Sequence, residues 1–184
     1  FLKEEAKNNR IQLTINPSNY GACHARNQAI QQSQGDYVLF MDTDVILPDD
    51  DALKRAVETM EADPTIGQLG GVAYSDLGCQ IVQHSIMQLR SGFRIRKERQ
   101  TVVPPLGKIF FDMDYIQSDF ALMRRDVFSK VKGLDPFYRY YLEDPDLSFR
   151  IAKAGYRLAL DPEIRYVHFY IPRYRKIDHQ TFYK

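Results

Sequence analysis

The sequence predicts an α/β domain, a mostly parallel sheet flanked by helices. Three observations carry that prediction. The apolar run Tyr37-Val38-Leu39-Phe40-Met41 is rich in β-formers and stops abruptly at Asp42-Thr43-Asp44, as a strand buried on both faces of a parallel sheet does. A strand pattern, a helix pattern and that run follow one another over 11–41, the order of a parallel crossover unit. Downstream, stretches with three- and four-residue apolar spacing alternate with short apolar runs, punctuated by Gly and Pro.

In chain order, Phe1 to Asn9 reads as the last turns of a helix, and Ile11-Gln12-Leu13-Thr14-Ile15 alternates like a strand. Asn16 to Gly21 is a turn. A helix follows over Ala22 to Gln32, its buried stripe expected at Ala22, Ala25, Ala29 and Ile30, with Arg26 and Asn27 turned away from most of it. Val45-Ile46-Leu47 leads to Pro48 and Asp49 to Asp51, which suit a helix N-terminus by fixed φ and by the macrodipole. That helix should bury Leu53, Ala56, Val57 and Met60 and end at Asp63-Pro64. Gly70 to Tyr74 is a strand whose glycines permit close backbone approach, and Gly78 turns the chain into Ile81 to Leu89. The basic stretch Arg90 to Lys108 reads as a solvated face, with an acceptor or phosphate contact as the alternative. Phe110 to Ile116 and Phe120 to Met123 are short strands, and a brief helix from Arg125 stops at Gly133. Pro145 suits a first helical position with Asp144 as the cap, Leu147, Ile151 and Ala154 as the buried stripe, and Gly155 as terminator. Arg157 to Leu160 and Ile164 to Tyr170 close the domain as two strands. Residues 1–171 are expected to form the domain and 172–184 a tail or linker.

With 184 residues and 44% hydrophobic content, the chain has enough for one well-buried core. Its 25 basic and 24 acidic residues are mixed along the sequence and leave a net charge of +1, so no general field favours nucleic acid. A phosphate-bearing ligand therefore needs a local site. Cys23 and Cys79 lack metal-ligand spacing, and a reduced, cytosolic setting is the default reading. No apolar run reaches the ~18 residues of a spanning helix, and Phe1-Leu2-Lys3-Glu4-Glu5 has no signal-peptide character.

Candidate chemistry sits at two places. Asp42 and Asp44 end a strand at the carboxyl edge of the sheet, where ligands of open α/β folds bind, and paired carboxylates there suit a divalent cation bridging phosphate oxygens. Polar residues also end ordinary strands, so this pair acquires meaning only from its company. Glu143 and Asp144 are the second place, a candidate general base and its partner. Asp144 before Pro145 is equally explained by helix capping, and Asp49 to Asp51 are read as caps. His168, on a strand face with Tyr166, is by itself most simply a hydrogen-bonded core residue.

Taken together, Asn19-x-Gly21, Ala25-Arg26-Asn27, Gly35-Asp36-Tyr37, Asp42-Thr43-Asp44, Gly133-Leu134-Asp135, Glu143-Asp144-x-Asp146-Leu147-x-x-Arg150 and His168 closely resemble the family-two glycosyltransferases, in order and spacing over nearly the whole chain. The resemblance implies the GT-A fold, a Rossmann-like mixed sheet. It implies inverting, metal-dependent transfer of a sugar from a nucleotide-diphosphate donor to a hydroxyl of a saccharide or other acceptor, in the synthesis of surface polysaccharides or glycoconjugates. It implies Mn²⁺ or Mg²⁺ held by Asp44 and Asp42 with His168 at the metal side, nucleotide contacts from Arg26, Asp42 and Asn27, and Asp144 as base with Glu143 beside it. Peripheral association with the inner membrane face is implied by analogy with relatives that build surface polysaccharides.

The family's first two strands have no counterpart before Phe1, so the sequence is expected to be an N-terminally incomplete fragment. On that expectation the isolated chain binds donor weakly, and an inactive glycan- or nucleotide-binding fragment is the alternative function. Calorimetry with uridine, thymidine and guanosine diphosphates plus Mn²⁺ tests it, and submicromolar binding refutes it. A second enzyme class, phosphohydrolases whose first strand ends in Asp-x-Asp, matches Phe40 to Val45 locally. It fits poorly, because a strand and a helix are predicted before the motif.

Overall fold

The computed structural model describes residues 2–8, 11–75, 106–111, 113–138 and 141–169. Among these residues, helices α1 (Leu2–Lys7), α2 (Ala22–Gln32), α3 (Ala52–Ala62), α4 (Arg125–Lys130) and α5 (Glu143–Lys153) accompany one sheet. Its strands are β1 (Tyr37–Met41), β2 (Val45–Ile46), β3 (Ile66–Ser75), β4 (Phe110–Phe111), β5 (Phe120–Arg124) and β6 (Arg157–His168), ordered β1-β5-β3-β6-β2 with β4 also on β6. The predicted segment Ile81 to Leu89, the basic stretch over 90–105 and the tail lie outside the described residues.

The sheet is mixed, as expected, but its hydrogen-bonded pairing is mostly antiparallel. Among the described strands only β3 and β6 pair in parallel. The physical reason is the placement of β5. It inserts antiparallel between β1 and β3, so those two strands run in the same direction without touching.

The same insertion moves the doubly buried position from β1 to β5. β5 sends Phe120 and Leu122 into the core under α3, and Ala121 and Met123 into the core shared with α4 and α5. β1 instead buries Val38 and Phe40 on one face, leaves Tyr37 and Leu39 half-buried on the other, and exposes Met41. A groove of about 380 Å³ runs beside it, lined by residues that include Arg26, Ile30, Leu39 and Arg125.

Several local readings are corrected by packing. Residues 11–15 form no strand; Ile11 and Ile15 are exposed, so their alternation has no sheet face to bury. The α2 bounds match the sequence reading, but the packed face is Cys23, Asn27 and Ile30, while Ala25 and Ala29 face solvent. Arg26 and Asn27 are half-buried: this helix covers a polar site, and its polar residues face it. In α3 the buried set is Ala52, Ala56 and Met60, with Leu53 and Val57 exposed. The two strands predicted at the C-terminal end are one continuous β6, irregular where it pairs with β3 near Gly70.

Two glycines in β3 explain that close pairing. A Cβ on Gly71 would lie 2.5 Å from the Ile164 carbonyl oxygen, and one on Gly70 would lie 2.8 Å from Ile116 Cγ2. A buried polar relay then fixes α5 against the sheet: Ser148 Oγ donates to Gln68 Oε1 at 2.8 Å and accepts from the Ile116 amide at 3.1 Å. Buried polar groups of this kind hold one arrangement because breaking either bond leaves a desolvated partner. The arrangement matters because α5 carries the second acidic pair.

Candidate active site

The end of β1 and the end of β6 are brought together by register. Val45 of β2 pairs with His168 of β6, and the Phe169 amide donates to the Asp44 carbonyl at 2.8 Å. Residues more than a hundred positions apart thus share one corner. There Asp42, Asp44 and His168 each offer a ligand atom within 4.8 Å of the others. His168 Nε2 is 3.4 Å from Asp44 Oδ1, yet it is buried without a hydrogen-bond partner. A desolvated imidazole nitrogen facing two carboxylates fits a divalent cation, for which nitrogen and oxygen ligands of this kind are suitable.

Asp42 is half-buried, and burial pushes its carboxyl pKa up while Arg26 opposes that rise. Arg26 Nη2 donates to Asp42 Oδ1 at 3.1 Å, and its guanidinium lies over the Phe40 ring, 5.1 Å from the centroid. Its Nη1 is buried with no hydrogen-bond partner. A pinned guanidinium with one unsatisfied nitrogen suits a phosphate or sugar oxygen. Asn27 is engaged differently: its Nδ2 donates to the Leu134 carbonyl at 2.7 Å, and its Oδ1 accepts from the Leu134 amide at 2.9 Å. Both ends of the amide are therefore used to tie α2 to the turn at Gly133, whose φ is +72°.

The second acidic pair opens α5, but not as a cap. Leu142, in the left-handed region at φ 70°, takes the capping position, and Asp144 sits inside the first turn. Pro145 is tolerated there because first-turn amides have no helical acceptor. Freed from capping, Asp144 turns to the sheet, where its Oδ2 accepts from the Ser118 amide at 3.1 Å. Burial raises its pKa to about 6; the Ser118 bonds oppose that rise and Glu143 adds to it. Arg26 favours the ionised forms of both Asp42 and Asp144, so its charge reaches both acidic sites.

The sequence reading missed Asp119, which it placed in a spacer between strands. The β1–β5 register pairs Met41 with Phe120, and the Asp42 amide donates to the Asp119 carbonyl at 3.3 Å. The Asp119 carboxylate is buried, with Oδ2 3.3 Å from His168 Nδ1. The hydrogen bond that His168 donates to Asp119 is the main reason the His168 pKa is raised, against the lowering effect of burial. Tyr166, itself buried, also bonds to Asp119. The one signal available in sequence was an acidic residue immediately before a fully apolar strand. Asp49 to Asp51 stand at the entry to α3 but do not cap it with a side chain: Asp51 takes the capping position without a side-chain hydrogen bond to the helix, Asp49 Oδ1 accepts from the Asp51 amide at 2.9 Å in the preceding turn, and none joins the site.

Comparison with known proteins bears on the family and the fold. The family model described as glycosyl transferase family 2 matches residues 1–132. Over 177 residues the chain is 26% identical to the O-antigen chain rhamnosyltransferase RfbN of Salmonella typhimurium, covering 94% of this chain and 54% of that protein. Over 167 residues it is 29% identical to rhamnosyltransferase WbbL of Escherichia coli K12, covering 82% and 61%. The chain thus spans a little over half the length of these curated relatives. Among solved structures, mannosyltransferase PcManGT from Pyrobaculum calidifontis, in complex with GDP-Man and Mn²⁺, aligns with a TM-score of 0.60 at 21% identity, over 91% of this chain and 42% of that one. GalNAc-T7 with UDP, GalNAc and Mn²⁺ aligns at 0.65 and 14% identity, over 92% and 34%. The last two likenesses concern the fold.

Proposed function

The chain belongs to glycosyl transferase family 2 and has the GT-A fold, and from that premise we propose that it carries the centre of an inverting, metal-dependent sugar transferase of polysaccharide synthesis. The observation that carries the proposal is the convergence of Asp42, Asp44 and the unsatisfied His168 Nε2 at one corner, with Asp144 within electrostatic reach of Arg26. Membership of this family disfavours the phosphohydrolase alternative.

In this reading Asp44, Asp42 and His168 hold a divalent cation, which when bound supplies positive charge to the diphosphate leaving group. Arg26 braces Asp42 with Nη2 and offers Nη1 to a donor oxygen. A pinned charge of this kind needs no reorganisation as the sugar–phosphate bond breaks. Asp144 takes the proton from the acceptor hydroxyl as that oxygen attacks the anomeric carbon from the face opposite the diphosphate, inverting it. A pKa of about 6 suits a general base, since Asp144 is then ionised at neutral pH yet more basic than an ordinary carboxylate. Glu143 lies beside it at the start of α5 and raises its basicity. Asn27 supports the site through the Leu134 turn.

Because two curated relatives are rhamnosyltransferases of bacterial origin, we place rhamnose first among donor sugars and a saccharide as acceptor, with peripheral membrane association where that acceptor is lipid-linked. The test is sugar transfer from a panel of nucleotide-diphosphate sugars, with and without Mn²⁺, for the native sequence and Asp44→Asn. Native transfer that chelation abolishes and Asp44→Asn lacks supports the proposal. Transfer that Asp44→Asn retains in full refutes the metal assignment.

A further inference from the structure

Strands β5 and β6 meet at one buried carboxylate, and the chain just after β1 bonds to its backbone. Asp119 lies where β5 begins, its backbone carbonyl accepting from the Asp42 amide at 3.3 Å. Its Oδ1 accepts from the Phe120 amide at 2.9 Å, and its side chain bonds to Tyr166 of β6. Its Oδ2 is 3.3 Å from His168 Nδ1. Across the same ring, Nε2 is 3.4 Å from Asp44 Oδ1 and buried without a hydrogen-bond partner. One residue earlier, the Ser118 amide donates to Asp144 at 3.1 Å. A single dipeptide therefore holds both sides of the cleft, Ser118 through the base and Asp119 through the histidine.

A neutral imidazole carries one proton, and the nitrogen that keeps it is chosen by its partners. A carboxylate at Nδ1 keeps the proton there and leaves the Nε2 lone pair facing Asp42 and Asp44. We propose that Asp119 is a positioning residue that sets the tautomer and ring angle of His168, so that Nε2 is presented to the cation as a ligand. Removing such an outer carboxylate typically weakens metal binding about 10- to 100-fold. Asp119 contacts neither donor nor acceptor in this scheme. It acts through His168, and Tyr166 and the Phe120 amide hold its carboxylate in place. The inference rests on the metal-site reading proposed for Asp42, Asp44 and His168.

Two measurements test it, both on the whole chain and neither requiring turnover. The first is titration with Mn²⁺ alone, followed by electron paramagnetic resonance, for the native sequence, Asp119→Asn, Asp119→Ala, His168→Gln and Asp44→Asn. The second is ¹⁵N imidazole spectroscopy at alkaline pH, with the His168→Gln variant assigning one signal set among the four histidines. We expect the native His168 to show the Nδ1–H tautomer. We expect Asp119→Ala to shift it towards Nε2–H and to weaken Mn²⁺ binding about 10- to 100-fold, with Asp119→Asn between the two. Native Mn²⁺ affinity in Asp119→Ala beside its loss in Asp44→Asn overturns the positioning role and leaves the metal site standing. Unchanged affinity in both Asp44→Asn and His168→Gln overturns the metal site itself, and the inference with it. Where Asp119→Ala fails to fold, Asp119→Asn decides by the tautomer: a native Nδ1–H signal with weakened Mn²⁺ binding would contradict the proposal.

Discussion

Replacing Asp144 with Asn separates what this carboxylate does for the reaction from what it does to the fold. Burial moves its pKa from an ordinary 3.8 to about 6, and each pH unit corresponds to ~1.4 kcal/mol. The ionised form is therefore about 3 kcal/mol less favourable in the folded chain than in the unfolded one. Asp144 is half-buried, and solvent reaching its rim reduces the usable figure to ~1–2 kcal/mol. A folded pKa above the unfolded one contributes stability that is complete below pH ~4 and lost as pH rises through about 6. Asn has no charge to desolvate, and its Oδ1 can still accept from the Ser118 amide. Asp144→Asn should therefore be more stable than the native chain by ~1–2 kcal/mol at pH 7 to 8, with the advantage fading towards pH 4. Urea unfolding of both proteins across that range measures it. Sugar transfer should fall by about 100-fold or more, since a general base contributes ~10²–10⁴. An advantage that is absent at neutral pH, or equal at pH 4 and 8, would refute the reasoning. So would native turnover in Asp144→Asn, in which case the base lies elsewhere.

Other outcomes follow from particular contacts. In the native enzyme, kcat/KM should rise with pH along a limb centred near 6, as Asp144 ionises. Arg26→Ala should move that limb upward, because Arg26 favours the ionised Asp144, and should raise the donor KM about 10-fold or more through loss of a charge-assisted contact. Asn27→Ala strips two bonds from the Leu134 backbone and should cost ~2–4 kcal/mol in urea unfolding, since buried partners are left unsatisfied. Gly71→Ala forces a Cβ against the Ile164 carbonyl oxygen at 2.5 Å and should lower stability by ~2 kcal/mol or more. Gly70→Ala, which meets the movable Ile116 side chain instead, should cost less.

The residue types and local punctuation of this chain determined a good part of what was found. The bounds of α2, the run over Tyr37–Met41 and the end of α5 at Gly155, with φ +91°, were legible because each depends on neighbours within a few positions. The grouping of Asp42, Asp44 and His168 was suggested by resemblance, and the fold brings them within 4.8 Å. Pairing partners were not legible. Nothing within 37–41 states that an antiparallel strand from 120–124 lies beside it, because register is set by contacts far away in sequence. That one insertion buried β5 rather than β1 on both faces and brought Asp119 beside His168. The helix cap was similar: Asp144 before Pro145 had a complete local explanation, and only the nearness of the Ser118 amide shows its carboxylate turned inward. A side chain's local options are written in its own neighbourhood. Which option it takes depends on the desolvated partner that the tertiary fold presents to it.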